Sequence, residues 1–186
     1  ALCAVVVALG RQIGVLHERL APAGALMLDQ GPKVGEEAPQ FELPTLGGET
    51  VTLGGPDSKN RSTLVFFLSP TCPVCKTLLP VLDAMRKSER DWLRIVLASD
   101  GDLPAQQSFV AANGLAVFPY VLSAELGLAY QVSKLPYGIL IDEHGILRSK
   151  GLINSREHLE SLFEAMERNV ASVQDYLDKL QEKDVA

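Results

Sequence analysis

One stretch of the sequence joins a buried-strand pattern to a helix pattern through two closely spaced cysteines. The run STLVFFLS at 62–69 is continuously apolar and rich in β-branched and aromatic residues, as in a central strand covered on both faces. Cys72 and Cys75 follow it, and apolar residues then recur at helical spacing across 78–85. This order predicts that Cys72 lies at the N-terminus of a helix that leaves the strand.

Such a position predicts that Cys72 is a reactive thiol. The free N–H groups and the dipole at a helix N-terminus favour a thiolate, so we expect the pKa of Cys72 to lie below the usual value of about 8.5. Cys75 lies one turn further and is expected to face inward, where it can resolve a mixed disulfide by attacking the sulfur of Cys72. Pro73 suits the first helical turn, where a missing N–H costs nothing. The pair predicts a redox-active disulfide as the working group, with no other cofactor.

Spacing alone leaves two other roles open for these cysteines. A zinc site needs about four ligands, but the sequence has no second CxxC, and His17, His144 and His158 are scattered over a linker, a turn and a helix. A structural disulfide that closes so short a loop constrains the unfolded chain little. The third cysteine, Cys3, lies in an apolar stretch and is expected to act as a small hydrophobic residue. The favoured interpretation is a redox pair with no metal.

Composition narrows the class of partner. The chain has 186 residues, of which 47% are hydrophobic and 22% charged, so it can bury a real core. Its net charge is -6 and it has no basic stripe, which argues against a nucleic-acid partner because phosphate binding needs clustered Lys and Arg. A protein client or a small redox substrate fits this balance.

Strand and helix patterns alternate along the rest of the chain. The predicted order is hairpin, β, α, β, α, β, α, β-hairpin, α, which indicates an α/β fold with a mixed central sheet flanked by helices. The segments that carry this order are the hairpin around Gly47 and Gly48, then 62–69, 72–85, 92–99, 103–114, 118–123, 124–132, 137–142, 146–151 and 155–169.

Both ends of the chain extend beyond this pattern. Residues 1–16 are expected to be the end of an N-terminal transmembrane anchor with a juxtamembrane helix, because the first ten carry no charge but are fewer than the roughly 20 that a membrane span needs. The alternative is a buried helix packed on the domain. Residues 17–33 are interpreted as a linker, 34–168 as the domain, and 169–186 as an amphipathic C-terminal extension.

Pro136 supplies a second element of the predicted site. It directly precedes the strand pattern at 137–142, where a residue without an N–H is tolerated. A cis Leu135–Pro136 bond would turn the chain sharply and bring it against the cysteines.

With these features the chain resembles thioredoxin-fold proteins over residues 34–168. The entry segment VGEEAPQFELPTLGGETVTL further resembles the redoxin branch, which includes peroxiredoxins and membrane-anchored TlpA/ResA-like proteins. More narrowly, RQIGVLHERLAPAGALM, GPKVGEEAP and SPTCPVCKTLLP resemble the MauD family of methylamine dehydrogenase accessory proteins.

The resemblance implies a function and a location. It implies a single-span N-terminal anchor, a periplasmic domain, and a role in maturing the methylamine dehydrogenase small subunit, a chain dense in disulfides that carries tryptophan tryptophylquinone. It also implies thiol-disulfide exchange with that client through Cys72 and Cys75, and a membrane partner for redox recycling. The substrate groove is expected along Leu135, Pro136, Thr71, Pro73 and Val74.

Some positions depart from related families. Thioredoxins carry a buried Asp where this chain has Phe66, and ResA-like reductases carry a Glu where it has Leu78, so Cys75 lacks the usual proton acceptor. The Pro and Thr of the peroxiredoxin motif are replaced by Val65 and Ser69, which argues against peroxidase activity. We therefore expect an oxidant or isomerase, with a TlpA-like reductant and a non-redox chaperone as the alternatives.

Overall fold

Two groups of strands and four α-helices make up residues 31–167, the part of the chain that the computed structural model describes. Five strands form one mixed sheet in the order β5-β4-β3-β6-β7, and β1 and β2 form a separate antiparallel hairpin. The strands are β1 (Phe41–Pro44), β2 (Thr50–Leu53), β3 (Ser62–Phe67), β4 (Leu93–Ser99), β5 (Tyr120–Leu122), β6 (Tyr137–Ile141) and β7 (Leu147–Leu152). The helices are α1 (Pro73–Ser88), α2 (Leu103–Ala112), α3 (Ala124–Ala129) and α4 (Arg156–Glu167), with a short 3-10 turn at Leu115–Val117. The predicted α/β class with a mixed central sheet is confirmed.

The central strand β3 sets the geometry of the whole sheet. It pairs parallel with β4 and antiparallel with β6, and all six of its residues are buried. Its register places Phe67, its last residue, opposite Tyr137, the first residue of β6. The turn that follows β3 and the segment that precedes β6 therefore lie at the same end of the sheet.

Alternate side chains of β3 enter two separate hydrophobic cores. Leu64 and Phe66 join the core that contains Leu82 of α1 and Leu159 of α4. Their neighbours along the strand enter the opposite core, which the β1–β2 hairpin and α3 cover through Val51, Leu53 and Leu126. A strand covered on both faces takes apolar residues at successive positions, which explains the unbroken apolar run from Leu64 to Leu68.

The hairpin between β6 and β7 is closed by a left-handed glycine. Gly145 has a φ of +85°, and its N–H donates to the carbonyl of Asp142 at 3.0 Å. A Cβ atom at this position would come within 2.6 Å of the backbone of Gly55, so the close approach also requires glycine. The Asp142 carboxylate accepts the N–H groups of His144 and Ile146 at 3.0 and 2.8 Å. This confirms the turn predicted between the last two strands.

Between residues 31 and 167, none of the helices is both long and apolar enough to cross a membrane. The predicted anchor at 1–16, the extension at 169–186 and nearly all of the linker at 17–33 lie outside the described residues, as do Cys3 and His17. Those assignments stay predictions.

Candidate active site

A tight turn carries the chain from β3 into α1. The N–H of Cys72 donates to the carbonyl of Ser69 at 3.1 Å. The hydroxyls of Ser69 and Thr71 lie 3.0 Å apart, and the Thr71 N–H donates to the Ser69 hydroxyl at 3.3 Å. These bonds hold the three residues before Cys72 in one conformation at the end of the central strand.

Cys72 is the N-cap of α1, as the sequence predicted. Its backbone is extended, with a φ of -83° and a ψ of 110°, and its Sγ accepts the N–H of Cys75 at 3.1 Å. The sulfur thus takes the position in which a serine or aspartate oxygen usually caps a helix. Pro73 is the first helical residue, and no acidic residue lies in the first turn. The positive end of the helix therefore faces the sulfur without a competing carboxylate.

The two cysteines form a disulfide but differ in exposure. Their Cα atoms are 5.3 Å apart, and Cys75 is fully buried with Leu78 and Leu82 in the core under α1. Cys72 is half-buried. Cys72 is therefore the more accessible of the two cysteines, and Cys75 is closed off from solvent.

The predicted groove residues lie at this same end of the sheet. The Leu135–Pro136 bond is cis, as expected, with Pro136 buried and Leu135 39% exposed. Pro136 directly precedes Tyr137, which pairs with the last residue of β3. Across the turn, Thr71 and Pro73 are exposed and Val74 is half-buried. The half-buried Cys72 thus lies at the same end of the sheet as exposed residues of the turn and of the proline loop.

The interior around Cys75 is apolar at the two positions where related families carry an acid. Phe66 is fully buried and Leu78 is 4% exposed, and both belong to the same core as Cys75. Proton transfer to and from Cys75 therefore proceeds without a carboxylate at either position.

No group of three or more His, Cys, Asp or Glu that could hold a metal ion occurs among residues 31–167. His144 lies in the β6–β7 turn, and His158 lies on α4, where its Nδ1 accepts the N–H of Asn154 at 3.2 Å. The chemistry of the site is that of the two cysteines.

One polar cluster behind the turn was not predicted from the sequence. The Ser99 hydroxyl donates to the carbonyl of Leu68 at 2.9 Å, and the Gln106 amide donates to Ser99 at 3.0 Å. The Tyr120 hydroxyl donates to the Gln106 carbonyl oxygen at 2.6 Å. The available signal was the position of Gln106, which lies three residues before Phe109 on the apolar side of a predicted helix.

A buried strand, a CxxC disulfide at the N-terminus of the next helix and a cis proline before a neighbouring strand define a thiol-disulfide oxidoreductase with a thioredoxin-like fold. The chain belongs to the Redoxin family, whose model matches residues 33–166, and within that family to the MauD proteins.

The most similar relatives support this assignment over most of the chain. Methylamine utilization protein MauD of Methylorubrum extorquens is 47% identical over 94% of this chain and 85% of its own length. The MauD of Paracoccus denitrificans is 46% identical over 93% of this chain and 86% of its own length. Among solved structures, a Chlorobium tepidum protein assigned as thiol:disulfide interchange protein DsbE superposes with a TM-score of 0.63 and 22% identity, over 72% of this chain and 97% of that one. That likeness shows the fold.

Proposed function

We propose that this protein forms or rearranges disulfides in the small subunit of methylamine dehydrogenase, as a membrane-anchored oxidoreductase that faces the periplasm. The observation that carries the proposal is the disulfide between the half-buried Cys72 and the fully buried Cys75, in a chain 47% identical to a methylamine utilization protein. The client is a chain dense in disulfides and therefore needs such chemistry.

In the proposed exchange the Cys72–Cys75 disulfide is reduced and one disulfide is formed in the client. A client thiolate attacks the Sγ of Cys72, the bond to Cys75 breaks, and Cys75 leaves as a thiolate that takes up a proton. A second client thiolate then attacks the client sulfur of the mixed disulfide and releases Cys72. The client gains a disulfide, and the protein is left as a dithiol.

The surroundings of the two sulfurs favour the oxidising direction. The N–H of Cys75 and the N-terminus of the helix, which has no acidic residue in its first turn, stabilise negative charge on Cys72. A stabilised thiolate favours the reduced form of the protein, which makes the disulfide a stronger oxidant. The apolar residues Phe66 and Leu78 supply no proton acceptor for Cys75, which a dedicated reductant would use to attack quickly.

The proposed location follows from the chemistry and from the sequence. Disulfides persist in oxidising compartments such as the periplasm. Residues 1–10 are uncharged and apolar, and we assign them to a single-span anchor. Each turnover leaves a dithiol, so the cycle also requires a two-electron oxidant, for which we propose a membrane redox partner.

A client strand would dock beside the proline loop. The proposed groove runs from Leu135 and Pro136 to Thr71, Pro73 and Val74, and the backbone of the loop would supply main-chain hydrogen bonds to the client. The apolar Leu135, which is 39% exposed, would contact a client side chain next to its cysteine.

Trapping in cells tests this proposal. In a full-length Cys75→Ser variant the Cys72 thiolate attacks a client disulfide, which breaks as the mixed disulfide forms, and no Cys75 is present to release the client. The client then stays attached, and mass spectrometry identifies it. A Cys72→Ser variant is the matched control, because it keeps the buried Cys75 and lacks the half-buried Cys72. Recovery of the methylamine dehydrogenase small subunit, absent from the control, is the expected result. Recovery of cytochrome c apoproteins instead would support a reductant, and an empty trap with normal maturation would support a non-redox chaperone.

A further inference from the structure

A buried chain of hydrogen bonds runs from β5 through α2 to the residue from which the cysteine turn starts. Tyr120, Gln106 and Ser99 are 2%, 3% and 6% exposed, so none of the three is a surface group that faces a ligand. We propose that these three residues form a positioning network that sets the reactivity of Cys72. The inference rests on the proposed role of Cys72 as the reacting thiol.

Three bonds of the network run in series toward Leu68. The Tyr120 hydroxyl donates to Gln106, Gln106 donates to Ser99, and Ser99 donates to the carbonyl of Leu68. Gln106 uses its second amide hydrogen on the carbonyl of Asp100 at 2.6 Å. Hydrogen bonds aligned in series polarise one another, so the last bond, to Leu68, is stronger than an isolated one. Polar groups satisfied this fully inside a core specify one arrangement of the atoms around them.

The last bond fixes the residue from which the cysteine turn departs. The N–H of Leu68 donates to the carbonyl of Ala98 at 3.0 Å, and its carbonyl accepts from Ser99 at 2.9 Å, so both of its backbone polar groups are held by β4 and its end. The Ser69 carbonyl, one residue on, accepts the N–H of Cys72. Leu68 is therefore the fixed base of a turn that ends at the reactive sulfur.

The conformation of this turn affects the reactivity of Cys72, because the N–H of Cys75 stabilises the Cys72 thiolate only at short range. Its Sγ lies 3.1 Å from the nitrogen of Cys75, and hydrogen bonds weaken steeply as distance and angle depart from the optimum. If the Leu68 carbonyl loses its partner, the turn gains freedom, the contact at Sγ lengthens on average, and the thiol becomes harder to ionise. Among the residues close in sequence to the turn, the network and the proline loop, the charged ones are Lys76, Asp100, Asp102 and Lys134, and they stay constant in the variants below.

The test uses the full-length reduced protein and measures the rate of Cys72 alkylation by iodoacetamide across pH, with peptide mass spectrometry separating Cys72 from the other cysteines. Ser99→Ala is expected to raise the midpoint pH by about half a unit or more, which is about a threefold loss of rate at a pH below both midpoints. Ser99→Thr keeps the hydroxyl and should restore the wild-type midpoint.

A second buried serine provides a matched control. Ser149 is 1% exposed, and its hydroxyl donates to the carbonyl of Leu162 at 2.8 Å, between β7 and α4. Ser149→Ala therefore removes a bond of the same type and length that does not lead to the turn, and it should leave the midpoint unchanged. Equal shifts in Ser99→Ala and Ser149→Ala, or no shift in either, would overturn the network.

If Ser99→Ala does not fold, Tyr120→Phe tests the network by the same alkylation measurement. It keeps the ring and removes only the first donor, so a smaller upward shift is expected, and an unchanged midpoint counts against the proposal. Because alkylation needs no client, the network and the proposed function fail separately. A flat alkylation result beside a successful client trap rejects only the network, and a shifted midpoint beside an empty trap rejects only the client.

Discussion

Side chains of β4 hold both ends of the central strand β3, but one end is held by a charged arginine and the other by a neutral serine. At the start of β3, Arg94 donates to the hydroxyl of Thr63 and to the carbonyl of Thr52, each at 2.9 Å, and lies 3.8 Å from the carboxylate of Asp57. At the other end, the neutral hydroxyl of Ser99 holds the carbonyl after the strand.

The difference shows where this fold places charge. The side chains of Arg94 and Asp57 remain 21% and 12% exposed, and burial lowers the pKa of Arg94 while Asp57 opposes that change. The Leu68 carbonyl, from which the turn to Cys72 begins, is held by a chain of neutral, buried side chains. A charge pair beside the thiol would change its ionisation, whereas the same pair about one strand length away contributes to stability alone. The hydrogen bonds that hold the start of the turn therefore add no charge beside Cys72, whose sulfur accepts the N–H of Cys75.

The largest effect should come from the reactive end. Cys72→Ser removes the only accessible sulfur of the pair, so disulfide exchange with a dithiol peptide should fall about a thousandfold or more, measured by the rate of peptide oxidation. Its free energy of unfolding should match that of the reduced wild-type protein, since both lack the disulfide. Residual exchange near the wild-type rate would mean that Cys75 is reached directly, against its complete burial.

A smaller effect, on stability alone, should come from the charged end. Arg94→Ala removes three hydrogen bonds, two to Thr63 and one to Thr52, and leaves Asp57 without this partner, so urea unfolding should show a loss of about 1–3 kcal/mol. Arg90→Ala is the control, because the Arg90–Asp91 pair is highly exposed and should change stability by less than about 0.5 kcal/mol. The alkylation midpoint of Cys72 should be the same in both variants, and a shifted midpoint in Arg94→Ala would show that the two ends are coupled.

The smallest effect should appear only at high pH. Burial raises the pKa of Tyr120 to about 12, above the value of about 10 in an unfolded chain. The folded state therefore prefers the protonated phenol, so the stability that Tyr120 contributes is complete below about pH 10 and is lost as the pH rises through about 12. Between about pH 8 and about pH 11, the free energy of unfolding should decrease less steeply with pH in Tyr120→Phe than in the wild type. Parallel curves would mean that the phenol ionises freely in the fold.

Local patterns in the sequence predicted the parts of the site that depend on neighbours along the chain. The apolar run of β3, the cap position of Cys72 and the proline before β6 each follow from a few consecutive residues. The networks at the two ends of β3 could not be predicted this way. Ser99 and Leu68 are 31 positions apart, as are Arg94 and Thr63, and their contact depends on a strand register that the sequence does not state. In the sequence, Ser99 only marks the end of an apolar run, and its contact with Leu68 becomes evident once the register of β3 against β4 is known.

The unequal exposure of the two sulfurs also protects the site from chemical damage. Hydrogen peroxide that reaches the thiolate of Cys72 would oxidise it to a sulfenic acid and would itself be reduced to water. Cys75 lies within bonding distance of that sulfur and condenses with it, releasing water and forming the same disulfide that the protein already carries. Further oxidation to the irreversible sulfinic acid then has to compete with a reaction inside the molecule. The buried Cys75 would thus convert the sulfenic acid of Cys72 back into the disulfide before it is oxidised irreversibly.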